Sequence, residues 1–124
     1  RYGMGLMVKD TTQVAWTVNL PQVFHTSFWF IPQEVTTCVI WKAMGPSGAL
    51  LLGYDAQTQD FFLEDHLSRR VTLAFGLEAS DRVCLGVCQT STERRLFAAR
   101  MGGDVHSASA RFEPVGAFSS LRLY

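Results

Sequence analysis

Val71-Thr72-Leu73-Ala74-Phe75-Gly76-Leu77 and, after a short polar gap, Val83-Cys84-Leu85-Gly86-Val87-Cys88 decide how this chain reads. In the first stretch every odd position is large and apolar, and every even one is small or polar. In the second, Val83, Leu85 and Val87 alternate with Cys84, Gly86 and Cys88. Side chains of an extended backbone point alternately to opposite faces. The pattern therefore predicts strands whose inner faces carry Val71/Leu73/Phe75/Leu77 and Val83/Leu85/Val87.

Outward from these stretches the same style of chain recurs. Val14 to Val18 ends at Asn19-Leu20-Pro21, and Phe28 to Ile31 ends at Pro32. Cys38 to Trp41 leads through Gly45-Pro46-Ser47-Gly48, a turn signature because Pro fixes φ and Gly tolerates positive φ, into Ala49 to Leu52. Further runs are Asp60–Glu64, Arg95–Arg100, Ala110–Phe112 and Ser120–Tyr124. Short runs at this spacing predict an all-β fold: a single domain over residues 1–124, an antiparallel two-sheet β-sandwich of jelly-roll type with about ten strands. Glu93–Met101 is the one stretch with a helical alternative, since Leu96, Phe97 and Arg100 could share a helix face.

Of the 124 residues, 48% are hydrophobic and 18% charged, which excludes a disordered segment. Eleven basic and eleven acidic residues balance to zero, so a nucleic-acid module held by bulk charge is not expected. No run approaches the roughly 18 apolar residues of a membrane span, so no membrane insertion is expected. The chain starts at Arg1 without the charged and apolar regions of a signal peptide, and reads as a trimmed or processed fragment.

The chain has no nucleophile elbow, P-loop, dinucleotide fingerprint or H-E-x-x-H, and its histidines at 25, 66 and 106 are scattered, so no enzyme is expected. Cys84 and Cys88 on one strand face stand about 13 Å apart at roughly 3.3 Å per residue, too far to bond each other. Cys38, on a separate strand, could reach one of them; the alternative is three reduced, buried thiols. The chain has no Asn-x-Ser/Thr sequon, a mild argument against secretion.

The acidic group Asp55, Asp60, Glu64 and Asp65 suits either calcium, which prefers oxygen ligands, or a solvated turn in which Asp55 caps the chain after Tyr54. Arg69-Arg70 and Arg94-Arg95 place guanidinium groups at a strand junction and at an apparent hairpin tip. There they could form a partner-binding patch or simply a solvated surface. Strand alternation lets only one of each pair join any single patch. Phe28-Trp29-Phe30 cannot all face inward on one strand, so Trp29 or its flanking pair is covered by a second layer or exposed as a contact surface.

Phe24-His25-Thr26-Ser27-Phe28-Trp29-Phe30 followed by Ser47-Gly48-Ala49-Leu50-Leu51-Leu52-Gly53-Tyr54 resembles the opening of laminin-G-like domains. Asp60–Glu64 and Val71–Leu77 resemble their next strands, and the resemblance covers roughly residues 24–124. Cys38 and Cys88 are similar to the disulfide pair of the related pentraxins. Ser80-Asp81-Arg82 stands where those families carry a Trp-His pair, and the pentraxin double-calcium motif is missing. The resemblance implies a concanavalin-type sandwich devoted to recognition, a Cys38–Cys88 disulfide, and Asp60 as the one residue similar to a calcium ligand.

The expectation is a non-catalytic, extracellular recognition domain of an adhesion type, binding protein or glycan. Arg69, Arg70, Arg94, Arg95 and Trp29 are its contact residues, and it needs no cofactor unless calcium binds. The rival is an intracellular β-domain serving as a scaffold part of a larger complex.

Overall fold

The computed structural model describes residues 3–4, 14–21, 23–114 and 116–123, with the backbone alone for residues 3–4, 14–20 and Leu123. The side chain of Trp16, in the run from Val14 to Val18, thus lies outside the described residues. Among these residues there are strands and turns and no helix. The strands are β1 (Gly3–Met4), β2 (Val14–Leu20), β3 (Phe24–Phe30), β4 (Cys38–Gly45), β5 (Gly48–Asp55), β6 (Asp60–Asp65), β7 (Arg70–Ala74), β8 (Val83–Gln89), β9 (Arg94–Arg100), β10 (Val105–Ala110) and β11 (Phe118–Leu123).

They form a β-sandwich of two sheets. Sheet A runs β1-β3-β8-β9-β10 and sheet B runs β2-β11-β4-β5-β6-β7. All pairings are antiparallel except that of the two-residue β1, which lies parallel to β3. The Pro46-Ser47 dipeptide closes the β4–β5 hairpin, with Gly45 paired to Gly48, as its turn chemistry predicts. Glu93–Met101 adopts the extended alternative. Arg94, Leu96 and Ala98 are buried while Arg95, Phe97 and Ala99 face outward, because pairing with β8 on one side and β10 on the other outweighs the helical propensity of Leu, Ala and Arg.

The expected inner faces hold. Val71 and Leu73 of β7 with Phe75 and Leu77 just beyond it, and Val83, Leu85 and Val87 of the other sheet, are all buried. Between the sheets an aromatic seam ties the layers: Phe30 of β3 meets Phe61 of β6 edge-on at 6.3 Å, and Phe24 meets Phe118 at 5.7 Å. Tyr54 and Phe75 complete the group around Phe61, at 4.8 and 5.4 Å. The Tyr54 hydroxyl donates to the Phe75 carbonyl (2.8 Å) and accepts from the Leu77 N–H (3.2 Å). Its one polar atom therefore anchors the chain as it leaves β7 and needs no water. Each buried large side chain contributes about 1.5–3 kcal/mol.

Candidate functional site

Asp65 ends β6 with its carboxylate turned into the interior. Its Oδ1 accepts the N–H groups of Leu67 (2.9 Å) and Arg69 (3.0 Å), closing the turn into β7. Its Oδ2 accepts Arg69 Nε at 2.7 Å and Arg94 Nη1 at 3.1 Å. Both guanidinium groups cover the Phe112 ring, at 5.3 and 4.9 Å from its centre, and Arg69 Nη2 also donates to the Glu113 carbonyl. Burial pushes the Asp65 carboxyl up, but the hydrogen bonds from Arg69 and Leu67, with the Arg94 charge, outweigh it and hold the group below the usual carboxylate value. Burial lowers Arg94 more than Asp65 raises it. Arg94 Nε and Nη2 have no hydrogen-bond partner among the described residues, and the aromatic face of Phe112 covers the cation there.

This placement corrects the expectation for Arg94. The residue starts β9 rather than sitting at a hairpin tip, its alternation turns it inward, and it is 0% exposed, so it offers no surface to a partner. Arg69 is tied to the same carboxylate and keeps only a partial face to solvent. The other member of each pair goes the opposite way. Arg70 pairs with Glu64 at 2.7 Å and lies 4.2 Å over Phe62 on the outer face of sheet B. Arg95 pairs with Glu93 at 2.5 Å on the outer face of sheet A. The four arginines are thus dispersed: Arg94 inside, Arg69 partly exposed against the same carboxylate, and one on each outer face. They form no common basic patch.

The outer face of sheet A is of another character. Phe28 is buried, Phe30 packs against the core, and Trp29 between them stays 43% exposed. Across the sheet Trp29 stands opposite Cys84, His25 opposite Cys88, and Cys88 opposite Arg95. In the middle is a shallow depression of about 210 Å³ lined by His25, Ser27, Cys84, Gly86, Phe97 and Val105 among others. Gly86 makes its floor: a Cβ there would come within 3.4 Å of the Phe97 ring. The His25 and Phe97 rings meet edge-on at 6.5 Å, and the Arg95 guanidinium lies 5.9 Å from Phe97 at the rim.

The cysteines do not pair as the pentraxin resemblance implies. All three are free thiols. Cys38 packs against the core from sheet B, whereas Cys84 and Cys88 point out of sheet A, so the sheet itself stands between Cys38 and either of them. Burial raises the Cys38 thiol above its ordinary value.

Asp60 opens β6 opposite Asp55 on one side and Ala74 on the other. Asp55 caps its turn, accepting the N–H groups of Gln57 and Thr58 at 2.9 and 3.3 Å. Among the described residues no three His, Cys, Asp or Glu side chains come together as a metal group. A second crevice, of about 290 Å³, lies between β7 and β10, where Arg100 and His106 flank Phe75. His25, Gly86, Phe97 and His106 were not singled out from the sequence as site residues. His25 was within reach, because Phe24 and Phe28 fix the inward register of β3 and turn positions 25, 27 and 29 outward. Arg100 and His106 lie on neighbouring strands of sheet A, and the packing of that sheet against Phe75 makes a crevice of them, which no local pattern encodes.

Compared with known proteins, the chain matches no family model and no curated protein.

Proposed function

We propose that this chain is a non-catalytic recognition domain that binds a protein or glycan partner through the outer face of sheet A. The observation that carries the reading is the exposed indole of Trp29 beside the apolar depression on that face. A tryptophan is among the side chains that bind most strongly once covered, and an arginine at the rim adds a planar donor fork. Strands of a sandwich hold such groups rigidly, so little ordering entropy opposes a contact. A flat indole face accepts the C–H face of a sugar ring or an apolar side chain equally well.

Membership of the laminin-G-like class and an extracellular, adhesive role belong to the same proposal, resting on the sandwich fold and the residues that resemble that class. The second reading, an intracellular part of a larger complex, is favoured by the three separated thiols, since disulfides persist in oxidising compartments and reduced thiols in reducing ones.

Two measurements test these readings. The first screens wild type and Trp29→Ala on arrays of glycans and extracellular-matrix proteins. Saturable binding that the variant loses supports the recognition face, and binding unaffected by it refutes that assignment. The second counts thiols in denatured, unreduced protein isolated from its native source. Three free thiols support the intracellular reading, and one free thiol supports the secreted one.

A further inference from the structure

β10 is the last strand of sheet A. All six of its residues pair with β9 without a bulge, and no strand is hydrogen-bonded to its far edge among the described residues. Alternate N–H and C=O groups of such a strand point away from the sheet. Natural edges are guarded by lysine, proline, a bulge or an inward charge. Val105-His106-Ser107-Ala108-Ser109-Ala110 has no proline, lysine or acid and keeps a regular register. The edge of sheet B differs, because β7 opens with Arg70 paired to Glu64.

At the N-terminal end of this open edge lies the crevice between β7 and β10. The Arg100 guanidinium stacks 4.4 Å from the centre of Phe75. Its Nε and Nη2 donate to Asp81 Oδ2 at 3.3 and 3.2 Å, and Nη2 also donates to the Gly76 carbonyl. These bonds fix the plane of the group and leave Nη1 without a partner among the described residues. The His106 imidazole meets the same Phe75 ring edge-on at 5.6 Å.

The wall behind them is rigid, since the Phe75 N–H donates to the Gln59 carbonyl at 2.9 Å and the Phe75 carbonyl is held by Tyr54. Space above Gly76 is open: a Cβ there would meet nothing within 4 Å. The Asp81 charge is spent on Arg100, and Asp60, alternating with buried Phe61, points out of the other face of sheet B. A fixed cationic donor thus sits at the end of an unguarded strand edge.

We propose that this edge and crevice capture the C-terminal end of an extended peptide. The peptide adds to β10 as a further strand of sheet A, and its terminal carboxylate enters the crevice and accepts from Arg100 Nη1 and His106. Backbone pairing along a free edge with a carboxylate held at one end is an established mode of peptide recognition. The direction follows from the placement. The crevice is at the start of β10, so a chain ending there runs antiparallel to it. At about 290 Å³ the crevice lies at the lower end of small-molecule pockets and fits a terminal residue rather than a folded ligand. This site is separate from the Trp29 face and goes beyond the recognition reading made for it.

The test pans immobilised wild-type protein with two pools of labelled random hexapeptides, one with free C-termini and one amidated. Enriched peptides are then measured by fluorescence anisotropy. The free-acid pool is expected to enrich. Amidation of a selected peptide should weaken binding about ten- to hundredfold, the worth of hydrogen bonds to a charged group. Gly76→Leu, which fills the crevice from an open position, should do the same. His106→Ala serves as a second variant if Gly76→Leu lowers the melting temperature. Trp29→Ala should leave the affinity within about twofold, a change too small to reflect a lost anchor.

No enrichment, equal affinity of acid and amide, or indifference to both crevice variants overturns the proposal. So does competition by acetate at peptide-like concentrations, which would assign the crevice to small acids. Loss on Trp29→Ala alone would also overturn it, moving the peptide to the outer face and leaving the Trp29 reading intact.

Discussion

Glu64 and Asp65 are neighbours on one strand, yet they serve opposite surfaces. Glu64 faces water and holds Arg70, with 31% and 42% of the two side chains exposed. Asp65 faces the interior and holds Arg69 and Arg94, with none of its own side chain exposed. The outer face of sheet A completes the contrast, because there an indole, a phenyl ring and two thiols are turned toward solvent. Charge has gone inside at one end of the sandwich while apolar surface stays outside on one sheet. Buried charge held by a shared carboxylate and an aromatic face is a structural tie. Exposed tryptophan that the core does not need is surface left over for contact.

The largest expected effect breaks the interior half of the comparison. Asp65→Asn removes the one anion facing two guanidinium groups and leaves Arg94 buried and unpaired, so it should cost about 3–5 kcal/mol in urea denaturation. Glu64→Gln, the same chemical change one residue away, should cost less than about 1 kcal/mol. If the two variants were equally stable, the Asp65 cluster would be no more than a solvated pair.

Next in size is Tyr54→Phe. It strands the Phe75 carbonyl and the Leu77 N–H inside the protein and should cost about 1–3 kcal/mol by the same measurement.

The pH dependence sharpens the same point. Asp65 titrates below its ordinary value in the folded state, so its contribution is present above the unfolded value near 4 and is lost as pH falls below it. Asp81 shifts in the same direction, through the Glu78 N–H first and then Arg100, against the effect of burial. Wild-type stability should therefore decline below about pH 4, and Asp65→Asn should flatten part of that decline. A decline of the same slope in both proteins would remove Asp65 from the account.

How much of this was legible from the residues follows from what each feature depends on. Val83, Leu85 and Val87 announced their face because alternation is a local property of a strand. The Pro46-Ser47 turn and the cap at Asp55 were legible for the same reason. β10 was missed as a strand because Val105-His106-Ser107-Ala108-Ser109-Ala110 has little apolar contrast, and only its pairing with β9 makes it one. The arginine pairs were correctly expected to split, but which member turns inward depends on where β7 and β9 begin. A shift of one residue reverses the answer. The Cys38–Cys88 pairing failed on the same ground, since opposite faces of a sheet are indistinguishable until register is known.

The smallest effect on stability is expected at the exposed half of the comparison. Trp29→Ala lies on the outer face and should change unfolding free energy by no more than about 0.5 kcal/mol. Binding is where its effect belongs. The most direct test of the account is therefore the affinity of wild type, Trp29→Ala and Arg70→Ala for one partner recovered from the arrays, measured alongside their melting temperatures. Trp29→Ala should lose at least about tenfold in affinity and Arg70→Ala, on the opposite sheet, should change little, with unchanged melting for both. A partner released by Arg70→Ala and retained by Trp29→Ala would contradict it and move recognition to the outer face of sheet B.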